Sequence, residues 1–405
     1  MKVASREVSG DPDPDNPQNQ KTFGRPLPAC HCAPGDGSYA IAGRNTLQTI
    51  DWNRWLPLLL IAVGLAQAVL QSLFFTEIKF DDAQLIEWAA QARAGNLDQP
   101  TLLSNIAWAF SKLGLPPDIF IKIARQVFVV GAILLLQRAL RHWTADTALV
   151  WIGALSVTLV DDIRGKAVTE FTHYTFLMCT MAAALLIVTL LTERRSIGLY
   201  VLLGLSAALV FHSKYNGMLL FFILLAACAY DATARRVFLD RRALVSAAIL
   251  AALAAPALIW GYLNPSKVTG TFGKYHFDTA DRSPFVEALD AYGSSITSVI
   301  VVVAIALAYR LWRDRALRFG SPGVDPEKMR LLGRYCLTFF VVSIIAAMAL
   351  NVGEVGRRWV FPGTMFMAIF GGLLAGQILP KAARPVLLAA LAGYWLAVNI
   401  WLLLR

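Results

Sequence analysis

Charged residues are scarce in this sequence. Only 16% of its 405 residues are Asp, Glu, Lys or Arg, whereas about a quarter of an ordinary soluble domain is charged. Hydrophobic residues make up 57%, and the mean hydropathy is +0.55. Apolar runs of about 18 to 22 residues recur along most of the chain, and each could cross a bilayer core of about 30 Å. These features argue against a water-soluble enzyme and indicate an all-α polytopic membrane protein.

Cysteine is also scarce, with five residues. Cys179, Cys228 and Cys336 lie inside apolar runs, where a thiol is usually a small packing residue. Cys30 and Cys32 flank a single histidine, which gives too few ligands for a four-ligand structural zinc site. The cysteines therefore predict neither a disulfide framework nor a zinc module.

The chain divides into a polar tail and a membrane domain. Residues 1–50 are rich in Pro, Asp, Asn, Gln and Gly, and we expect a disordered cytoplasmic tail. Residues 51–405 are expected to form one domain with about eleven transmembrane helices, and no internal repeat of the kind found in many secondary transporters is apparent. The predicted spans are 54–75, 118–140, 145–161, 171–191, 196–212, 216–231, 243–262, 293–310, 333–350, 359–379 and 385–404.

The formal net charge of +10 is explained by topology. With the N-terminus inside, the inner loops hold 17 basic and seven acidic residues, as the positive-inside rule requires. This excess equals the net charge of the whole chain, so no nucleic-acid partner is expected. Function is therefore sought on the outer side, which carries the long segments 76–117 and 263–292.

The first outer segment has apolar residues at helical spacing over 83–90 and 102–110, with Gly95 and Pro100 between them. This pattern predicts two amphipathic helices in the outer membrane interface. Trp88 and Trp108 are expected at the depth of the lipid headgroups.

Two groups of polar residues lie in this first segment. Asp81 and Asp82 follow the first span, where Asp82 could cap the next helix. Alternatively, these carboxylates could accept a proton from an attacking hydroxyl or bind a metal. Asp98 and Gln99 precede Pro100, in what is either a simple loop or part of a site. Spacing alone leaves both alternatives open.

Further polar residues lie at the outer mouths of later helices. Glu170 and His173 are three positions apart, so on a helix they would share a face, either as solvated helix ends or as substrate or metal ligands. Lys214 and Tyr215 occupy a tight break between two apolar runs. The lysine could reach the lipid headgroups, or it could bind a phosphate.

Arg357 and Arg358 lie on the side where topology disfavours positive charge. Guanidinium groups bind phosphate oxygens in a bidentate manner, either on a substrate or on lipid headgroups. Carboxylates and cations on one face suit a reaction with a proton acceptor and an anionic leaving group.

Four of these segments occur in an order that resembles a known family. They are Phe80-Asp81-Asp82-Ala83, Asp98-Gln99-Pro100, Ser213-Lys214-Tyr215-Asn216 and Arg357-Arg358-Trp359-Val360-Phe361-Pro362. The chain thereby resembles the polyprenyl-phosphate-dependent glycosyltransferases of GT-C fold, which include the lipid A aminoarabinose and galacturonosyl transferases and the protein O-mannosyltransferases. The resemblance covers about residues 54 to 380.

The resemblance implies an enzyme of the bacterial inner membrane with a periplasmic active site. Its reaction would be the inverting transfer of a sugar from a polyprenyl-phosphate donor to lipid A, another lipid or a surface glycan. Asp81 and Asp82 would be the catalytic carboxylates, with Asp81 as the general base or the residue that orients the acceptor. Lys214, Arg357 and Arg358 would bind the donor phosphate.

The remaining substrate-binding candidates are Asp98, Gln99, Glu170, His173, Tyr215, Lys274 and His276. Many family members have Lys or His where this chain has Gln99, and a second Pro where it has Thr101. The loop 263–292, with Tyr275 between its two basic candidates, could close over the donor as a lid. Assistance by a divalent metal is left open.

Two other classes fit parts of the pattern. A lipid or sugar transporter, or a flippase, would also have many helices and outer amphipathic segments, although its polar site usually lies near the membrane midplane. A glycan polymerase or ligase would use a pyrophosphate-linked carrier, and we would expect a much longer outer loop.

Overall fold

The computed structural model describes residues 50–74, 78, 80–95, 99–165, 170, 172–265, 283–315, 323–350 and 356–404, with Phe80 and Arg358 described by their backbone alone. Within these ranges the chain is helical, and no β-strand occurs. They all belong to one compact unit, Asn45–Arg405. The predicted disordered tail lies outside the described residues, apart from Ile50.

The α-helices of the described ranges are numbered here in chain order. They are α1 (Trp52–Phe74), α2 (Phe80–Trp88), α3 (Leu102–Lys112), α4 (Pro117–Leu140), α5 (Thr147–Leu155), α6 (Asp161–Arg164), α7 (Thr172–Glu193), α8 (Ile197–Ser213), α9 (Leu219–Ala227), α10 (Ala232–Phe238), α11 (Ala243–Leu263), α12 (Pro284–Asp314), α13 (Pro326–Ala349), α14 (Arg357–Ile378) and α15 (Arg384–Leu403). Short 3₁₀ turns occur at Ser156–Leu159, Tyr215–Met218 and Lys381–Ala383.

The all-α polytopic architecture is confirmed. In the described part of the chain, eight helices are long and apolar enough to span a membrane, or nine if a pair bent by 115°, Tyr215–Ala227 and Ala232–Phe238, forms one span. Two further apolar helices, Thr147–Leu159 and Ile197–Ser213, are shorter. The predicted count of about eleven is reached only if the bent pair and both shorter helices are counted as spans.

Two helices begin well before the apolar runs that predicted them. α12 and α13 start at residues 284 and 326, whereas the predicted spans start at 293 and 333. Each extension begins with a side-chain cap, because Ser283 accepts a hydrogen bond from the backbone of Val286 and Asp325 accepts one from that of Glu327. Hydropathy shows only the part of a helix that is apolar, so it misses such polar first turns.

The centre of the bundle is formed by α4, α7 and α14. α4 and α7 pack most extensively against each other, while α14 contacts α5, α12 and α13 and is the most enclosed of the candidate spans. Trp151 of α5 and Phe361 and Phe366 of α14 are among the fully buried side chains at this centre.

The two helices predicted in the first outer segment are present as α2 and α3. Leu85 and Leu103 are buried with Ile121 of α4 in a small second cluster, so both helices pack against the bundle. Trp88 is only 6% exposed, because the protein itself covers this side chain, and its depth relative to the lipid headgroups stays a prediction. Trp108 is partly exposed, and Lys112 lies over its ring.

Close packing of α14 requires glycine at position 372. A Cβ atom built on Gly372 would lie 2.6 Å from Cβ of Ser156 and within 3.2 Å of the Ile152 carbonyl oxygen. The Ser156 hydroxyl also donates a 2.6 Å hydrogen bond to that carbonyl, so the serine is fixed in place.

We therefore expect Gly372→Ala to lower the thermal unfolding temperature in detergent, with a loss of about 1–3 kcal/mol for an overpacked core. Gly393→Ala is the matched control, because Gly393 also lies in a membrane helix and has no heavy atom within 4 Å of its added Cβ. The control should be neutral or slightly stabilising. Equal losses in both variants would contradict this explanation.

Candidate active site

Asp82 joins three helices at one end of the bundle. It lies in the first turn of α2, and its Oδ2 atom is 3.1 Å from Nη2 of Arg125 in α4. Its Oδ1 atom accepts a 2.8 Å hydrogen bond from the Thr172 hydroxyl and a 3.3 Å bond from the Thr172 amide, at the start of α7. Both oxygens are thus bound to other elements, and Asp82 is not the cap of its own helix.

Arg125 is a site residue that sequence reasoning missed. It is buried in the third turn of α4, and the charge of Glu170 also acts on it. The predicted span 118–140 treats this residue as part of an apolar run. An arginine inside a membrane span is itself a signal of function, and that signal could have found it.

Burial dominates the electrostatics of Asp82. Removal from water raises the pKa of its carboxyl group from 3.8 to about 6, although Arg125 and the hydrogen bonds from Thr172 act to lower it. The neighbouring charge of Asp81 adds a smaller upward contribution. At neutral pH Asp82 is therefore ionised, and keeping this charge buried lowers the free energy of unfolding.

The sign of this shift predicts a pH dependence of unfolding. Because the folded state binds the Asp82 proton more tightly than the unfolded state does, stability should be highest below about pH 4 and fall as the pH rises to about 6. The expected loss from this group is about 3 kcal/mol. Thermal unfolding of the wild type and Asp82→Asn between pH 4 and 8 measures it, as the difference between the two curves. Parallel curves would contradict the raised pKa.

The first turn of α7 also contacts a cation. The Lys214 Nζ atom lies 3.8 Å from the ring centroid of Tyr174, two residues after Thr172. Tyr174 in turn packs edge to face on Phe361 of α14, with ring centroids 5.3 Å apart. The Asp82 carboxylate and the Lys214 ammonium thus both contact the first turn of α7. This agrees with the prediction that they lie on the same face of the protein.

His173 lies between these two contacts and is 1% exposed. Neither ring nitrogen has a hydrogen-bond partner of normal geometry, although the Ser213 backbone and the charge of Lys214 are close to the ring. Glu170 lies in a turn before α7, which begins at Thr172. The prediction that Glu170 and His173 share a helix face is therefore wrong.

Arg357 opens α14 and forms an ion pair with Asp161, whose carboxylate also pairs with Arg164. Arg164 donates a 3.2 Å hydrogen bond to the Tyr394 hydroxyl of α15. α14 contacts both α6 and the turn that begins at Tyr215. Arg357 is therefore carried by a helix that packs against the segments next to Asp161 and Lys214.

The other predicted residues have different positions. Gln99 is buried, and its Oε1 atom has no hydrogen-bond partner within the described ranges. Tyr215 is partly exposed and packs against Phe211, with ring centroids 5.3 Å apart. The residues Asp98, Lys274, Tyr275 and His276 and the side chain of Arg358 lie outside the described residues.

A metal centre is not defined by the part of the chain that the structure describes, where no three His, Cys, Asp or Glu side chains form a group that could hold an ion.

Comparison with known proteins relates this sequence to glycosyltransferases. The family description "dolichyl-phosphate-mannose-protein mannosyltransferase" matches residues 98–260. Lipid A galacturonosyltransferase RgtD of Rhizobium johnstonii is 28% identical over 342 residues, which are 80% of this chain and 67% of that protein. Lipopolysaccharide core galacturonosyltransferase RgtA of the same organism is 26% identical over 204 residues, 50% of this chain and 41% of that protein.

The fold is shared with a solved structure. ArnT from Cupriavidus metallidurans bound to undecaprenyl phosphate matches 87% of this chain and 77% of its own, with a TM-score of 0.59 and 13% identity. Its apo form matches 85% and 76%, with a TM-score of 0.56. These comparisons confirm the GT-C fold and the expected resemblance to polyprenyl-phosphate glycosyltransferases.

Proposed function

We propose that this protein is an inverting glycosyltransferase of the bacterial inner membrane. It takes a sugar from a polyprenyl-phosphate donor and transfers it to lipid A, another lipid or a surface glycan. The observation that carries this proposal is the first turn of α7, where Thr172 binds the Asp82 carboxylate and Tyr174 contacts the Lys214 ammonium. The names of the relatives, which act on lipid A and on the lipopolysaccharide core, support the acceptor class.

The reaction needs a base and an anion-binding group on opposite sides of the sugar. The acceptor oxygen attacks the anomeric carbon, the bond from that carbon to the phosphate oxygen breaks, and the carrier leaves as its monophosphate. Asp81 would take the proton of the acceptor hydroxyl. Asp82, whose two oxygens are already bound, would hold α2 in position.

Lys214, Arg357 and Arg358 would hold the phosphate of the donor through charge-assisted hydrogen bonds, in the bound donor and in the transition state alike. The ion pair between Arg357 and Asp161 leaves the arginine side chain 46% exposed. Exposed pairs of this kind contribute about 0–1 kcal/mol. A donor phosphate can therefore replace the Asp161 carboxylate on Arg357, or share the arginine with it, at little cost in free energy.

The other candidates would contact the sugar or the acceptor. Gln99, Glu170, His173 and Tyr215 lie on segments at the same end of the bundle. Asp98, Lys274 and His276 remain sequence predictions for substrate contact, and the loop 263–292 remains a predicted lid.

A cytoplasmic N-terminus and a periplasmic site are part of the proposal. α7 begins beside Asp82 and ends at Glu193, next to Arg194 and Arg195. The start of α1 is bonded to the start of α5, where Asn53 donates a 3.2 Å hydrogen bond to the Thr147 hydroxyl. This contact supports the proposed orientation, because the positive-inside rule favours the cytoplasm for the end that carries the basic loops.

The assignment of Asp81 predicts that Asp81→Asn lowers the transfer rate by about 10²- to 10⁴-fold, the usual contribution of a general base. The assay uses purified enzyme in detergent with a polyprenyl-phosphate sugar and an acceptor lipid. Glu87→Gln is the matched control, because Glu87 is an exposed carboxylate on the same helix, and it should leave the rate unchanged.

Full activity of Asp81→Asn in a folded protein would refute the role of this base. Turnover by the wild type in detergent, where no gradient exists, would exclude a pure transporter.

The phosphate-binding role of Arg357 predicts that Arg357→Gln raises the KM for the donor about ten- to hundredfold, the usual effect of losing a hydrogen bond to a charged group. Arg330→Gln is the control, since Arg330 is a half-exposed arginine at the opposite end of the bundle. A KM for Arg357→Gln no higher than that of the control would show that Arg357 does not bind the donor.

A further inference from the structure

We propose that Tyr174 is a positioning residue that presents the Lys214 ammonium to the donor phosphate. The inference rests on the proposed function and extends it to a side chain that no sequence motif singled out. Tyr174 would act through Lys214, without touching the substrate.

The contact is close and the ring is fixed. The distance of 3.8 Å from Nζ to the ring centroid is well inside the 6 Å range of cation–π attraction. Tyr174 is 2% exposed and belongs to the main buried cluster, and the edge contact with Phe361 determines its tilt. Lys214 therefore rests on a rigid surface.

The local sequence explains why Lys214 reaches this ring. α8 ends at Ser213, and the following turn folds back against α7 and α8. A Cβ atom on Gly217 would lie 2.5 Å from Cδ1 of Leu177 and 2.9 Å from Cγ1 of Val210, so the turn packs closely on both helices. It brings Lys214 next to the first turn of α7.

An aromatic ring and a carboxylate hold a cation in different ways. A carboxylate places a negative charge beside its partner, as Asp161 does for Arg357. The ring attracts the ammonium through its quadrupole and carries no net charge. An ammonium has three N–H donors, and those turned away from the ring can face an incoming anion. The ring thereby fixes the position of Lys214 and adds no negative charge of its own.

The same ring also connects two groups of the proposed phosphate site. Phe361 lies one helical turn after Arg357 on α14. Through its edge contact with Phe361, Tyr174 therefore packs against α14, the helix that carries Arg357, while its ring face contacts Lys214.

Fluorinated rings at position 174 test this inference. Tyr174→Phe keeps the ring face, and mono-, di- and trifluorinated phenylalanines then weaken its negative potential with little change in shape. We expect the Kd for undecaprenyl phosphate to rise stepwise, by about tenfold over the series. The donor KM should follow the Kd, while kcat stays nearly constant.

The same series in a Lys214→Met background shows whether the effect depends on the ammonium. If it does, fluorination should leave the Kd unchanged in that background, so the effects of the two changes are not additive. Fluorinated phenylalanines at Tyr230, whose ring lies 5.6 Å from the Arg334 guanidinium at the opposite end of the bundle, should leave the Kd unchanged.

A flat series at position 174, or an equal response without Lys214, would overturn the inference while leaving the glycosyltransferase assignment intact. A fall in kcat at constant KM would also overturn it, since that result places the ring in the chemical step. Failure of the wild type to bind undecaprenyl phosphate would overturn the inference together with the proposed function. Thermal unfolding of each variant confirms that only folded protein is compared.

Discussion

The buried ion pair between Asp82 and Arg125 is the constraint on which the end of the bundle that carries α2 depends. It connects a short helix of the first outer segment to the most extensively packed pair of membrane helices. The raised pKa of Asp82 shows that burial costs this carboxylate more than its partners return, as is common for buried pairs. The pair is therefore best understood as a determinant of geometry, which keeps Asp81 and its helix over the bundle.

The fold supports this geometry through helices that have different roles. α4 and α7 carry the residues that bind Asp82, and α14 carries Arg357 from the enclosed centre of the bundle. Small residues such as Gly372 allow close approach of these helices, and packing of this kind drives helix association where water is absent. Rigid spans thereby bring side chains from distant positions in the sequence to one membrane surface.

Much of the architecture could be predicted from the sequence because apolar length determines where a chain crosses a bilayer. The predicted span at 118–140 agrees with α4 to within one residue, and Asp82 and Lys214 do lie at the same end of the bundle. The sequence marks Arg125 only by its charge inside an apolar span and does not mark Tyr174 at all, because their roles come from contacts with Asp82 and Lys214, 43 and 40 positions away along the chain. Periodicity describes one helix at a time, so partnerships between helices remain hidden from it.

The enclosure of α14 has a consequence for altering donor preference. A helix covered on most of its length cannot shift without opening the packed core. The backbone that carries Arg357 is therefore nearly fixed in position. Away from Asp81 and Asp82, the α2 and α3 region rests on only a small buried cluster and can accept substitutions with less disturbance. Engineering toward a new sugar or acceptor should therefore begin in this outer segment and leave the central helices as they are.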